Sequence, residues 1–316
     1  MPVIDWPLEE LRRYKGINPC PKDFDSFWDG MLAKLDGHQA NPVLTPAAFR
    51  APNAECFDLY FTGLDGSRVY AKYQRPVKAE KAPAILNFHG YHGSSGEWWD
   101  KLAWVNAGFA VASMDCRGQG GLSEDLGAHN PQIGRFIRGI DGPPEDMLFV
   151  KNFLDTVLLA RIVGGFDEVD QSRLHAMGSS QGGALAVACA ALAPGVIRVS
   201  AGYPFLSDYK RVWQMDIHIS AYNELYEYFR QFDPLHKREG EIFEKLGYID
   251  IQNLAKRIKG EVLWACGLTD TICPPSTQFA AYNKIAAKKT MLIYPDFGHE
   301  GLPGYVDEIY RFFCAE

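Results

Sequence analysis

The 316-residue chain predicts an α/β fold: a mostly parallel central sheet with helices on both faces. Three observations carry that expectation. From residue 84 onward, short apolar runs at 84–88, 109–114, 196–202, 262–266 and 290–294 alternate with helical stretches, the pattern of parallel strands covered on both sides. The run 173–177 passes through Gly178-Ser179-Ser180-Gln181-Gly182 straight into a small-residue helix at 183–193, a strand–turn–helix unit. Upstream, 56–61 and 68–74 alternate apolar and polar residues on either side of Gly63-Leu64-Asp65-Gly66, which predicts an N-terminal antiparallel hairpin.

The remaining elements follow from spacing. Phe24, Phe27, Trp28, Met31, Leu32 and Leu35 recur three and four apart, as on one buried helix face. Helices are expected around 98–106, at 146–163 and at 306–313. Residues 117–145, rich in Gly and Pro, read as a long loop. Residues 203–259, with Phe205, Tyr209, Trp213, Tyr222, Tyr226, Tyr228, Phe229 and Phe232, read as a helical cap inserted into a single domain spanning 1–316. Most of those aromatics are expected to pack the cap onto the core. Tyr91, Trp98, Trp99 and Phe205 are candidates to shape a pocket.

Composition excludes several functions. A net charge of −7 disfavours a nucleic-acid surface, which needs clustered Lys and Arg. No apolar run approaches the length of a membrane span. Met1-Pro2-Val3-Ile4-Asp5-Trp6 lacks the basic and apolar regions of a signal peptide. Seven cysteines form an odd set without C-x-x-C spacing and lie mostly in apolar runs, as reduced thiols do. A cytoplasmic location is therefore expected.

A serine hydroxyl is a poor nucleophile at neutral pH and needs a base, itself oriented by an acid. Gly-x-Ser-x-Gly between strand and helix is the nucleophile elbow of the α/β-hydrolase fold, where the partners follow in the order Ser, Asp or Glu, His. Ser180 is thus the candidate nucleophile. The strand 262–266 ends in Gly267-Leu268-Thr269-Asp270, and the last strand ends in Pro295-Asp296-Phe297-Gly298-His299-Glu300. Asp270 and His299 are the expected acid and base. Asp296 competes for the acid role but shares a short loop with His299, while His218 and His236 are rival bases within the cap. The oxyanion of acyl transfer needs two backbone donors, expected at Gln181 and, on the loop Asn87-Phe88-His89-Gly90-Tyr91-His92-Gly93, at Tyr91. His89 and His92 are read as loop structure. Metal and cofactor sites are not expected: His89 and His92 sit in a glycine turn, His299-Glu300 lacks a second histidine, and Gly118-Gln119-Gly120-Gly121 fails the dinucleotide pattern.

Beyond the elbow, the chain carries Arg117-Gly118-Gln119, Arg138-Gly139-Ile140, Gly267-Leu268-Thr269-Asp270, Cys273-Pro274-Pro275-Ser276-Thr277, Phe279-Ala280-Ala281-Tyr282-Asn283 and His299-Glu300. With these motifs it resembles the cephalosporin C deacetylase and acetyl xylan esterase family, the seventh class of carbohydrate esterases, over almost its whole length. The resemblance implies Ser180, Asp270 and His299 as the catalytic triad, Tyr91 and Gln181 as the oxyanion hole, and Arg117, Gly118 and Gln119 as structural support. It also implies deacetylation of short xylooligosaccharides and cephalosporin C by cytoplasmic hexamers without a cofactor. One departure stands out: after Arg138-Gly139-Ile140 the family carries an aromatic- and arginine-rich helix start, whereas this chain has Asp141-Gly142-Pro143-Pro144-Glu145-Asp146. That segment adjoins the loop used by family members in subunit contacts. The expected activity is serine carboxylesterase. A lactone- or peptide-cleaving hydrolase and a non-catalytic binding protein on the same fold are the alternatives.

Overall fold

A computed structural model describes residues 4–127 and 135–315. Met1-Pro2-Val3 of the leader reading and positions 128–134 of the expected long loop lie outside the described residues. Nine strands, β1 (Val43–Pro46), β2 (Ala54–Thr62), β3 (Arg68–Pro76), β4 (Ala82–Phe88), β5 (Ala110–Met114), β6 (Val169–Ser179), β7 (Val196–Gly202), β8 (Glu261–Gly267) and β9 (Lys289–Tyr294), form one sheet. Their spatial order is β1-β2-β3-β5-β4-β6-β7-β8-β9. The first three strands and the β3–β5 pair are antiparallel, and from β5 to β9 every pairing is parallel.

Alternate strand residues feed two apolar layers. Ala84, Leu86 and Trp264 point into the layer shared with the helices Phe24–Asp36, Leu148–Gly164 and Gln181–Leu192. Ile85, Leu263 and Ala265 join Trp104, Val105, Ile309 and Phe313 from the helices Leu102–Asn106 and Tyr305–Cys314 on the other face. Helix Gln181–Leu192 is buried along its whole length. Its glycines and alanines let it lie close to the sheet.

Differences from expectation have local causes. β1 was not foreseen, because all four of its residues are exposed and it carries a proline, both marks of an edge strand. The helix expected from 146 starts at Leu148: Pro143 and Pro144 open a 3-10 turn at Pro144–Asp146, and Met147 is extended. The helix near 98–106 divides into a 3-10 turn, Trp99–Lys101, and a short α-helix, Leu102–Asn106. Within the expected loop, Phe136, Ile137 and Ile140 are fully buried. Between β7 and β8 run the helices Tyr209–Gln214, Asn223–Phe232, Glu239–Leu246 and Ile251–Leu254. The last of these packs against Gln181–Leu192 and so belongs to the layer flanking the sheet.

Candidate active site

β4 and β6 are neighbours, with Phe88 paired to Gly178, although the chain visits β5 between them. The loop after β4 and the turn after β6 therefore emerge side by side, where the strand order switches direction. At that turn Ser180 adopts φ 56° and ψ −124°, a strained conformation for a residue with a side chain. It is held from two sides: the Ser180 N–H donates to the Gly202 carbonyl at 2.9 Å, and the Ser180 carbonyl accepts from the Phe205 N–H at 3.0 Å. The flanking glycines are needed for contact with β4. A Cβ on Gly182 would lie 2.1 Å from the Phe88 carbonyl oxygen, and one on Gly178 would lie 2.4 Å from the Gly182 backbone.

His299 follows β9, with Nε2 3.0 Å from Ser180 Oγ and Nδ1 3.0 Å from Asp270 Oδ2. In the tautomer this network sets, the Ser180 hydroxyl donates to Nε2 and Nδ1–H donates to Asp270. Asp270, at the end of β8, is fully buried, and its other oxygen accepts the N–H groups of Ile272 at 2.9 Å and Cys273 at 2.8 Å. Three donors thus fix the carboxylate against the imidazole. Asp296 is exposed, His218 stacks on Tyr226 and His236 on Phe229, so none of the rivals joins this chain of bonds. Tyr203, directly after β7 at φ 30°, meets the His299 ring edge to face at 4.8 Å.

Gln181 opens its helix, and the first N–H groups of a helix have no partner within it. Its buried side chain accepts from Gln119 Nε2 at 2.7 Å, and Gln119 Oε1 accepts the His92 N–H at 2.9 Å. Gln119 so bridges the turn bearing Gln181 and the loop bearing Tyr91. In that loop His89 Nδ1–H donates to the Gly90 carbonyl at 2.7 Å, while Nε2 accepts the Cys116 N–H at 2.9 Å. Burial pushes the His89 pKa down, which keeps this neutral arrangement. Next to Cys116, the buried Arg117 bonds both oxygens of Asp155, at 2.5 and 2.7 Å, and also Asp65. Burial opposes its charge, but the two carboxylates outweigh burial and raise its pKa. Asp65 is held down at about 2, the Arg117 charge overcoming its own partial burial. Gly118 continues the turn at φ 64°.

A cavity of about 610 Å³ opens onto Ser180 and His299. Its floor includes Asn87 and Ser179 at the ends of β4 and β6, and it runs between Trp104 on one helix and Tyr305, Val306 and Ile309 on another. Of the four aromatics expected here only Tyr91 lines it. Trp98 stacks on Phe49, Trp99 is 73% exposed, and Phe205 is buried beside Phe136 and Tyr222. Sequence reasoning missed Tyr203, Trp104 and Tyr305. The signal available for Tyr203 was its position immediately after a strand. Among the described residues, Asp270, Cys273 and His299 offer metal-type ligand atoms within 4.8 Å of one another. Asp270 and His299 already bond each other there, and burial followed by the Asp270 charge pushes the Cys273 thiol pKa well up.

A parallel sheet with a strained serine after β6, an aspartate after β8 and a histidine after β9, joined by hydrogen bonds, defines an α/β-hydrolase. A sequence model of the acetyl xylan esterase family (AXE1) matches residues 1–316, and the chain belongs to that family. The crystal structure of acetyl xylan esterase 1 from Thermoanaerobacterium sp. JW/SL YS485 is similar at TM-score 0.96 and 52% identity, covering 98% of each chain. Acetyl xylan esterase from Paenibacillus sp. R4 is similar at TM-score 0.93 and 33% identity, over 98% of this chain and 99% of that one. Acetyl esterase Axe7A of Xylanibacter ruminicola is 27% identical over 287 residues, 87% of this chain. The chain spans 62% of the length of that relative.

Proposed function

We propose that the protein is a serine carboxylesterase that removes acetyl groups from acetylated xylooligosaccharides, cephalosporin C and related small acetate esters. The observation that carries the reading is the unbroken relay from Ser180 Oγ through His299 to buried Asp270, at 3.0 Å on both sides of the imidazole. His299 takes the serine proton as Oγ attacks the acetyl carbonyl. Asp270 holds the imidazole and stabilises its cationic form. The developing oxyanion is received by the N–H groups of Tyr91 and Gln181; one such donor contributes about 3–4 kcal/mol. His299 then passes its proton to the departing alcohol oxygen, and water cleaves the acetyl-enzyme by the reverse route. A methyl group fills little of a 610 Å³ cavity, so the space beside His299, between Trp104 and Val306, is left for the alcohol. Arg117, Gly118 and Gln119 brace the loops of the oxyanion hole. The helices from Tyr209 to Leu246 act as a cap, with Ser220 at the pocket wall. The family likeness further supports a cytoplasmic homohexamer acting on small esters, with chemistry supplied by side chains and backbone alone.

Hydrolysis of p-nitrophenyl acetate, acetylated xylobiose and cephalosporin C by wild type and Ser180→Ala tests the reading. Loss of at least about 10³-fold in kcat is expected for the variant. Equal rates would sink the mechanism.

A further inference from the structure

We infer that Glu224 is a positioning residue for the reaction, setting the oxyanion hole by holding the Tyr91 side chain. The inference rests on the proposed role of the Tyr91 N–H. Glu224 lies at the start of the helix Asn223–Phe232, in the segment between β7 and β8. One of its oxygens accepts the Tyr91 hydroxyl at 2.6 Å, and the other accepts the Phe136 N–H at 2.6 Å. A single carboxylate therefore joins three stretches that are remote in sequence: the loop after β4, the chain at Phe136, and a helix beyond β7. Both bonds are short and charge-assisted, the strong kind.

The geometry gives this clamp leverage on the backbone. Tyr91 is flanked by fixed points, the Gly90 carbonyl held by His89 and the His92 N–H held by Gln119. The Gly90 carbonyl shares its peptide plane with the Tyr91 N–H, so the bonds it accepts from His89 and from the Gly93 N–H at 3.0 Å aim that N–H from one end, and the Tyr91 side chain holds the other end, at Cα. The phenol hydroxyl is the far end of that side chain, and the ring centroid lies 4.3 Å from that of His92 and 5.9 Å from that of Phe205. Anchoring the hydroxyl fixes the ring and, through it, the Tyr91 Cα at which that peptide plane ends. Burial and the Glu224 charge raise the Tyr91 pKa, so the hydroxyl stays a donor across the working range. An oxyanion donor acts only if it is aimed before the charge appears, so loosening it costs turnover more than ground-state binding.

The test measures kcat and KM on p-nitrophenyl acetate for Glu224→Ala, Glu224→Gln, Tyr91→Phe and the double variant Glu224→Ala/Tyr91→Phe. Glu224→Ala and Tyr91→Phe should each lower kcat about tenfold, with KM within about twofold, a fraction of the loss from deleting a donor. The double variant should be no worse than the weaker single, because both break one link. Glu224→Gln should recover most of kcat: its amide oxygen accepts from Phe136, and its NH₂ donates to the Tyr91 oxygen. Affinity for a trifluoromethyl ketone, which forms an oxyanion with the serine, should fall in parallel with kcat. Unchanged kcat in Tyr91→Phe, multiplying losses in the double variant, or an effect confined to KM would overturn the inference. Tyr91→Phe keeps the ring packing and decides the matter if Glu224→Ala does not fold. Failure of the esterase reading itself would appear separately, as turnover surviving in Ser180→Ala.

Discussion

His175 illustrates what burial does to a titratable side chain left without a partner. It sits on β6 beneath the elbow, stacked on Phe313 at 4.7 Å and 13°, and its Nδ1 has no hydrogen-bond partner among the described residues. Burial first, and then the charges of Arg198 and Arg173, push its pKa down to about 3 from the ordinary 6.5. Between those values the unfolded chain binds a proton that the native chain refuses. Its contribution to stability is fully present above pH 6.5 and is lost as the pH falls toward 3, by up to about 1.4 kcal/mol per pH unit. His175→Phe keeps an aromatic ring against Phe313 and removes the proton site. Urea unfolding at pH 7 and pH 4.5 should therefore show a smaller stability loss on acidification for the variant than for wild type. An equal loss would assign acid sensitivity elsewhere. Ser180 stands at the opposite pole, since its strain is offset by bonds to Gly202 and Phe205 and, in the proposed mechanism, serves the chemistry.

At the scale of elements, the helix Tyr305–Cys314 forms one wall of the catalytic cavity, with Val306 63% exposed at its first turn. In the proposed mechanism His299 delivers its proton to the leaving oxygen, which puts the alcohol on this side of Ser180. Val306→Trp narrows the passage without touching the relay. It should raise KM for acetylated xylobiose about tenfold and leave vinyl acetate turnover nearly unchanged. A lost butyrate-to-acetate activity ratio with unaltered xylobiose kinetics would instead place the acyl chain there. Much of this architecture was legible in the chain, for a physical reason. Strands β4, β5, β7 and β8 are largely buried on both faces and so read as apolar runs, the half-buried β9 still carries Met291-Leu292-Ile293-Tyr294, and Ser180, Asp270 and His299 each sit a step or a few beyond a strand. β1 was illegible because an exposed edge strand has no apolar signature. Glu224 and Tyr305 were illegible because their positions depend on how 203–259 folds back over the sheet and on the angle of the last helix, whereas Tyr203 was marked only by its place after a strand, its positive φ being unreadable.

For the whole molecule, the surface bears on the proposed hexamer. Leu122 and Leu126 are 56% and 63% exposed on the stretch after Arg117, close in sequence to the segment where the family likeness places subunit contacts. Two neighbouring leucines in water are worth covering, at roughly 1.5–3 kcal/mol for each fully buried side chain. The Asp141-to-Asp146 departure does not leave its surroundings unanchored: Asp141 accepts from the Tyr228 hydroxyl at 2.5 Å and from Arg238 at 2.9 Å, tying the segment to the helices beyond β7. Where the family carries an aromatic and basic helix start, this chain thus has an acidic turn bonded within itself, which makes the leucines the apolar part of the proposed contact. Light scattering should give a mass near six times 35.4 kDa for the wild type. Leu126→Asp would place a charge in the proposed contact, where an unpaired carboxylate is costly, and should shift the mass to smaller species at micromolar concentration. Since the relay of Ser180, His299 and Asp270 is complete within one chain, p-nitrophenyl acetate turnover per chain should persist in the smaller species. A monomeric wild type, or a Leu126→Asp variant with unchanged mass, would remove this surface from the assembly.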